Sequence, residues 1–153
     1  MKGELTSDEL QQSPLHLLHR AGQCADSLFE AEAKDADLTL RQLVVLDAVA
    51  SSKGPMQTEL VERTGIDRST ISDIVRRLQK RRLLDRRRTK DDARAYAIAL
   101  TDKGRQVLRK FEPIAKRIDE QVLAALTNKQ RDQLMDALKS IVRAMQDGSE
   151  TGG

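Results

Sequence analysis

The chain is poor in cysteine, in aromatic residues and in long hydrophobic runs. Its 153 residues include one cysteine, Cys24, so no disulfide can form within the chain. Two Phe, one Tyr and no Trp leave a core that must be built from aliphatic side chains. No apolar run approaches the roughly 20 residues that cross a bilayer, and no secretory signal peptide is seen. The composition therefore predicts a cytoplasmic protein that does not enter a membrane.

The sequence also lacks the residue sets on which common enzymes depend. It has no Ser/His/Asp arrangement and no glycine-rich phosphate loop. His16 and His19 can share a helix face, but no Cys or acidic pair nearby completes a tetrahedral metal site. We therefore expect no catalytic activity, no metal and no cofactor.

Positive charge is concentrated in one part of the chain. Between Arg63 and Arg94 there are 12 Lys or Arg and 5 Asp or Glu, an excess of +7. The rest of the chain has 15 basic and 19 acidic residues, so it carries −4 and the whole carries +3. A basic block on an otherwise acidic chain is typical of a protein that binds nucleic acid.

The basic block coincides with a helix, a tight turn, a second helix and a hairpin. The pattern predicts helices over 57–64 and from Asp67 or Arg68 to about Arg82, with Gly65 as the left-handed residue between them. Strands are predicted over 83–88 and 95–100, joined by a turn over 89–93. The expected fold is mainly α, an α+β winged helix. A helix-turn-helix of this kind places its second helix in the DNA major groove.

The apolar side chains of the second helix leave a polar face for DNA. Ser and Thr hydroxyls and arginines near a helix start suit base edges and phosphates. Asp73 can either accept from a cytosine amino group or orient a neighbouring arginine. We expect this helix to contact DNA through Arg68, Ser69, Thr70, Ser72, Asp73, Arg76 and Arg77.

The hairpin adds a second basic surface. An arm with arginine near its tip can reach an adjacent minor groove. Asp91 and Asp92 would repel phosphate, so we expect them to stabilise the wing by pairing with nearby arginines. The hairpin residues expected to contact DNA are Arg86, Arg88, Lys90 and Arg94.

Long helices flank the winged region. Within the winged region, Thr39 caps a helix to about Ala50 that is apolar on most sides and should be buried. The three flanking helices are one that Ser13-Pro14 opens and that runs to about Lys34, one that Thr101 caps and that runs to about Leu126 with a kink at Pro113, and one that Thr127 caps and that runs to about Gln146. Too little core lies within one chain to cover their apolar stripes, so a partner chain is expected. The side chains of the last helix expected to face inward are Leu134, Leu138, Ile141, Val142 and Met145. The domain boundaries predicted are a flexible N-terminus over 1–12, a helical dimerisation region over 13–36 and 101–147, a winged helix-turn-helix domain over 37–100, and a flexible tail over 148–153.

Three segments resemble the MarR family, bacterial winged-helix regulators related to multiple-antibiotic-resistance repressors. They are LTLRQL from Leu38 to Leu43, the helix-turn-helix from Gln57 to Leu84, and DDARAYAIALTDKG from Asp91 to Gly104. The resemblance covers about residues 13–146. One departure is Arg82, where the family usually has glycine just after the second helix of the helix-turn-helix.

The resemblance implies a homodimer held by the N-terminal helix and the two C-terminal helices of each chain. Two winged domains would bind a pseudo-palindrome in double-stranded DNA, with the helix over 68–77 in the major groove and Arg94 in the minor groove. It also implies a repressor, since repression is the commoner mode in the family. Members commonly respond to a small ligand or an oxidant, so an aromatic or anionic effector is expected.

Several residues and functions remain open at this point. Arg20 and Arg41 can anchor a carboxylate, and His16 and His19 can contact an anionic or aromatic ligand; each can also be an ordinary surface or interface residue. Cys24 either makes a redox sensor or is a small buried residue in the middle of a helix. The winged helix could instead serve protein–protein assembly, although assembly does not require the basic block.

Overall fold

A computed structural model describes residues 7–92 and 94–150 of the chain. The described part is mainly α-helical with one antiparallel pair of strands, as predicted. In chain order the elements are α1 (Ser7–Gln11), α2 (Pro14–Glu32), a 3₁₀ helix (Lys34–Ala36), α3 (Leu40–Ala50), α4 (Gln57–Thr64), α5 (Arg68–Lys80), β1 (Leu84–Arg88), β2 (Tyr96–Leu100), α6 (Asp102–Leu123) and α7 (Asn128–Glu150).

The chain divides into two compact units, and we describe each by itself. The winged unit is Phe29–Lys116. The helical unit comprises the described residues up to Leu28 and from Arg117 onward. The divisions fall inside α2 and α6, whereas the sequence placed the winged domain over 37–100.

The core of the winged unit is aliphatic, and α3 lies at its centre. Thr39 begins α3 with the capping box that its sequence predicts: its Oγ1 accepts from the N–H of Gln42, and its own N–H donates to Gln42 Oε1 at 3.0 Å. Aliphatic side chains from α3, α4, α5 and the hairpin meet around it. Those with exposed fractions below 2% are Val45, Leu46, Leu60, Ile71, Val75, Leu78, Leu83, Leu84 and Ile98.

The helix-turn-helix forms as the sequence predicts. Gly65 ends α4 with φ of +68°, in the left-handed region that glycine enters without cost. Asp67 then begins α5 as its N-cap, accepting from the N–H of Thr70 at 2.9 Å. The inward stripe of α5 is the predicted set Ile71, Ile74, Val75 and Leu78.

The end of α5 differs from the prediction, because the helix stops at Lys80 and not at about Arg82. The N–H of Leu83 donates to the Leu78 carbonyl and the N–H of Arg82 donates to the Gln79 carbonyl, both at 2.9 Å. This is a Schellman motif, and it places Arg82 in the left-handed region with φ of +59°. Glycine adopts this left-handed conformation without strain, which explains why it is usual in the family at this position. In this chain the position is occupied by an arginine in a strained conformation.

The hairpin pairs Leu84 with Leu100 and Arg88 with Tyr96, each strand beginning one residue later than predicted. Ile98 and Leu100 are buried as their alternation predicts, whereas Tyr96, on the same face, is 44% exposed. The turn between the strands was predicted over 89–93, and its last residue, Ala93, lies outside the described residues.

The start of α6 packs directly against the residues that follow α5. The N–H of Thr101 donates to the Leu83 carbonyl at 3.1 Å, and Thr101 Oγ1 donates to the Arg82 carbonyl at 2.6 Å. Gly104 lies so close that a Cβ on it would be 2.2 Å from Leu83 O. The glycine of LTDKG is therefore required by packing.

Helix boundaries elsewhere differ from the prediction by a few residues. The N-terminal helix α2 ends at Glu32 before the 3₁₀ helix, and α6 ends at Leu123 after continuing through Pro113. Helix α7 extends to Glu150, so the polar tail expected from Gly148 begins as helix. Residues 7–11 of the predicted flexible N-terminus form α1.

The helical unit buries little of its own apolar surface. Among its described residues only Ile118 is a buried hydrophobic side chain. The prediction that Ile141, Val142 and Met145 face inward is wrong for a single chain, because these side chains are 44%, 55% and 73% exposed. No other element in the described part of the chain buries them. None of the described helices has the length and apolar content to span a membrane.

Candidate nucleic-acid interface

The N-terminal turn of α5 is organised by Asp67. Its carboxylate accepts from Thr70 Oγ1 at 2.6 Å, from the Thr70 N–H at 2.9 Å and from Ser69 Oγ at 2.7 Å. These hydrogen bonds, the one from the Thr70 hydroxyl above all, hold the pKa of Asp67 far below its ordinary value. Because both hydroxyl hydrogens point to Asp67, Ser69 and Thr70 present acceptor lone pairs outward. They suit the amino groups of cytosine or adenine better than phosphates.

Asp73 orients two arginines on the outer face of α5. Its carboxylate accepts from Arg76 Nη2 at 2.5 Å and from Arg77 Nε at 2.7 Å. The hydrogen bond from Arg76 and then that from Arg77 lower the pKa of Asp73. Of the two roles open to Asp73 from the sequence, the structure shows the orientation of neighbouring arginines. Both guanidinium groups remain mostly exposed, at 63% and 64%.

Two arginines of β1 are held by side-chain contacts along the hairpin. Arg86 Nη2 donates to Gln57 Oε1 at 3.3 Å, which joins β1 to the first residue of α4. The Arg88 guanidinium lies 6.0 Å from the centre of the Tyr96 ring, within range of a cation–π contact. Gln57 and Tyr96 thus position predicted DNA-binding residues, a role that the sequence alone did not indicate.

The wing tip is stabilised through the backbone and not through arginine side chains. Asp92 Oδ1 accepts from the N–H of Arg94 at 2.9 Å, and Thr89 Oγ1 donates to the Asp92 carbonyl at 2.7 Å. In the described part of the chain neither Asp91 nor Asp92 forms an ion pair, so the expected pairing with arginine is wrong. The Arg94 side chain stays exposed, as does that of Lys90.

The remaining predicted contacts of α5, Arg68 and Ser72, are also exposed. Apart from Thr70 and Asp73, which are half-buried, the predicted polar residues of α5 are exposed, above a core of four buried aliphatic side chains. Together with the wing, α5 forms a basic surface that belongs to the winged unit alone.

The residues proposed for ligand binding are not brought together in either unit. His16, His19 and Arg20 lie on α2 in the helical unit, and Arg41 is exposed on α3 in the winged unit. Cys24 is exposed, so the expectation of a small buried residue is wrong for the single chain. The residues that the structure describes contain no cluster of metal-ligating side chains.

The described part of the winged unit has a small cavity of about 200 Å³ beside Gln57, Arg86 and Tyr96. It also has two larger cavities. One, of about 670 Å³, lies between the end of α2, the start of α3 and the last turns of α5. We call it the basic cavity; its charged lining residues are Glu30, Lys34, Asp37, Arg77, Lys80 and Arg81. The other, of about 470 Å³, lies between α3 and α6, and its charged lining residues are Asp47, Arg109 and Glu112. We call it the α3–α6 cavity. Arg41 lines neither of them.

Comparison with known proteins identifies the family to which this fold and this basic surface belong. Residues 36–95 match the model of the MarR family. Over 138 residues the chain is 33% identical to the HTH-type transcriptional repressor NicR of Pseudomonas putida, covering 90% of this chain and 85% of the relative. The chain belongs to the MarR family.

Two solved structures of MarR-type regulators extend the comparison. The transcriptional repressor CouR, bound to a 23-mer DNA duplex, matches with a TM-score of 0.83 and 30% identity over 92% of this chain and 99% of that one. Bordetella bronchiseptica BpsR, whose DNA binding is regulated by 6-hydroxynicotinic acid, matches with a TM-score of 0.77 and 29% identity over 83% and 96%. These relatives regulate transcription, as the basic block predicts, and they favour neither an assembly module nor a redox sensor.

Proposed function

We propose that this MarR-family chain is a homodimeric repressor that acts in the cytoplasm on a pseudo-palindromic operator. Helix α5 enters the major groove of each half-site, and Arg94 enters the adjacent minor groove. The observation that best supports the proposal is the outer face of α5, where Asp67 and Asp73 hold polar groups in fixed directions. Fixed side chains suit base readout because less conformational entropy is lost on binding.

The homodimer is supported by the apolar surface of the helical unit. The side chains concerned belong to α2, α6 and α7 and are each at least 43% exposed in the single chain: Leu15, Leu17, Leu18, Val122, Met135, Ile141, Val142 and Met145. Exposed patches of this extent mark interaction surfaces. A second copy presents the same surface, as a two-fold dimer requires.

A small effector is supported by the relatives and by the cavities. BpsR responds to an aromatic acid, and the winged unit of this chain has cavities within the range of about 300–1,000 Å³ typical of ligand sites. We propose that an aromatic or anionic ligand releases the repressor from DNA.

DNA binding is tested by fluorescence anisotropy with the DNA upstream of this chain's own gene, against a scrambled duplex of equal length. Between about 50 and 300 mM salt we expect log affinity to fall linearly and steeply with log salt, because phosphate contacts release counterions. Equal affinity for both duplexes would refute a sequence-specific regulator.

Arg94→Ala tests the wing with Lys110→Ala as its matched control, since Lys110 is exposed on α6 outside the basic block. We expect Arg94→Ala to weaken operator binding by roughly 10- to 100-fold, as for the loss of a groove-contacting arginine, and to leave the dimer intact. Lys110→Ala is expected to change affinity by less than about 3-fold. Equal effects of the two substitutions would place the wing outside the interface.

A further inference from the structure

Asp73 lies in the middle of the surface that α5 presents to DNA. Ser69 precedes it by one helical turn on the same face, and Arg76 and Arg77 follow it by three and four residues. The Asp73 side chain is 39% exposed, so its carboxylate is within reach of bound DNA. A carboxylate at this position repels phosphates, and it therefore weakens the binding of α5 to DNA of every sequence.

The ion pairs of Asp73 contribute little to folding. Its two carboxylate oxygens accept separately, one from Arg76 Nη2 and the other from Arg77 Nε. Both arginine side chains are mostly exposed. Ion pairs at such exposure add little to the stability of a helix, because water screens the charges and two long side chains must be ordered. The pairs thus determine where the two guanidinium groups lie and not whether α5 folds.

Both arginines keep hydrogen-bond donors that DNA can use. Arg77 donates to Asp73 through Nε, and its Nη1 and Nη2 groups form no hydrogen bond with the described residues. The same holds for Nη1 and Nε of Arg76, which donates to Asp73 through Nη2. Two N–H groups of one guanidinium match the O6 and N7 acceptors of guanine, which is the commonest specific contact of arginine with a base. Guanine is therefore the base that these side chains suit best.

Holding the guanidinium groups in place favours a matching base over a phosphate. An arginine without a partner can turn to the nearest phosphate in DNA of any sequence. Arg77 would have to give up its bond to Asp73 to do so, whereas it can donate its remaining N–H groups to a guanine and keep that bond. Less conformational entropy is then lost on binding to the correct site. The carboxylate also cancels one of the two positive charges, which weakens the sequence-independent attraction to DNA.

We propose that Asp73 determines sequence specificity: it holds Arg76 and Arg77 so that α5 reads guanine, and it lowers the affinity of α5 for DNA of other sequences. Asp73 acts through the two arginines, so it is a positioning residue. The inference rests on the proposed function, because it concerns how the operator is distinguished from other DNA.

The test compares Asp73→Asn with Asp102→Asn in the full-length protein. Asparagine keeps the size of the side chain and removes its charge, so each variant gains one positive charge. Asp102 is the matched control, because it forms the same kind of pair, with Arg105 Nη2 at 2.5 Å, and lies at the start of α6 outside the basic block. Fluorescence anisotropy measures the affinity of each protein for the operator, located by footprinting, and for a scrambled duplex.

We expect Asp73→Asn to bind the scrambled duplex about 5- to 10-fold more tightly at about 100 mM salt, with a slope of log affinity against log salt that is steeper by about 1. Its affinity for the operator should not rise, because guanine readout is lost as charge is gained. The ratio of the two affinities should therefore fall by about 5-fold or more. Asp102→Asn should change that ratio by less than about 2-fold, because its charge lies outside the interface.

A second measurement identifies the atom that is read. 7-Deazaguanine, which lacks the N7 acceptor, replaces each guanine of a half-site in turn. At one or more positions we expect the wild type to lose about 5- to 20-fold in affinity, and Asp73→Asn to lose less than about 2-fold at the same position. Asp73→Glu keeps a carboxylate within reach of both arginines and should recover part of this sensitivity. Thermal unfolding of each variant verifies that it is folded, and a purely structural role of Asp73 cannot change the sensitivity to a single base.

Three results would overturn the inference. An equal rise of both affinities in Asp73→Asn would show that Asp73 acts through its charge alone. Equal sensitivity of Asp73→Asn and the wild type to 7-deazaguanine would show that the arginines need no positioning. Insensitivity of the wild type at every guanine would exclude the predicted contact with N7. Each of these results leaves the proposed function standing, whereas equal binding of operator and scrambled DNA by the wild type would refute the proposed function and the inference with it.

Discussion

Gly104→Ala is expected to destabilise the winged unit, because the added methyl group has no space. Its Cβ would lie 2.2 Å from Leu83 O and 3.1 Å from Leu100 Cδ2, and ordinary contacts begin at 3.4 Å. The start of α6 would have to move by about 1 Å, and neither partner can yield freely. Leu83 is 1% exposed, and its carbonyl already accepts from Thr101.

The magnitude follows from the contacts that such a movement strains. Overpacking of a tight site costs about 1–3 kcal/mol. The two hydrogen bonds of Thr101, to the Leu83 and Arg82 carbonyls, are worth about 1 kcal/mol each, and the gain in helix propensity from Gly to Ala is at most about 1 kcal/mol. We therefore expect a loss of about 3 kcal/mol in the free energy of unfolding, which lowers the Tm by roughly 6–12 °C for a chain of this size.

The assay is thermal unfolding followed by far-ultraviolet circular dichroism. Gly148→Ala is the matched control, because Gly148 also lies in a helix and a Cβ there meets nothing within 4 Å. We expect the control to be neutral or to stabilise by up to about 1 kcal/mol. If Gly104→Ala has the same Tm as Gly148→Ala, the close packing of α6 on Leu83 is wrong.

Three further changes test other parts of the structure. Arg82→Gly should stabilise the protein by up to about 1 kcal/mol in urea unfolding, because glycine relieves the strain of φ at +59°; destabilisation would contradict the Schellman motif. Folding lowers the pKa of Asp67, so the stabilisation from its carboxylate is present above the ordinary pKa and is lost as the pH falls. The difference in Tm between the wild type and Asp67→Ala should therefore shrink below about pH 4. A difference that stays constant with pH would refute the role of Asp67 as a helix cap. Ile141→Glu places a charge on a side chain that is 44% exposed in the single chain, so sedimentation should show a folded monomer; an intact dimer would exclude α7 from the interface.

The features that sequence alone could predict are those fixed by local chemistry. Thr39 with Gln42, Gly65 between the helices, and the alternation of Ile98 and Leu100 each specify a conformation within a few residues. The basic face of α5 followed in the same way, because four buried aliphatic positions define which side chains are left outside. These local signals are enough to determine the helix-turn-helix and its wing.

The features that sequence could not predict depend on contacts between distant elements. The basic cavity brings Phe29 and Lys80 together, and no spacing in the chain indicates that pair. The predicted partner of Asp92 was wrong, because its carboxylate accepts from a backbone N–H two residues away and not from an arginine side chain. Ile141 and Met145 were expected inside because an amphipathic stripe indicates a covered face but does not say which chain covers it.

The most direct test of the account is the dependence of affinity on half-site spacing. Once hydroxyl-radical footprinting has located the operator, about 5 base pairs, half a turn of DNA, are inserted between its half-sites. Two α5 helices carried by one homodimer cannot then reach the same face of the duplex, so we predict that specific affinity falls to the level of scrambled DNA. Inserting a full turn of about 10 base pairs is the phased comparison, which keeps both half-sites on one face. Undiminished affinity after the half-turn insertion would contradict the paired reading of DNA by two winged units.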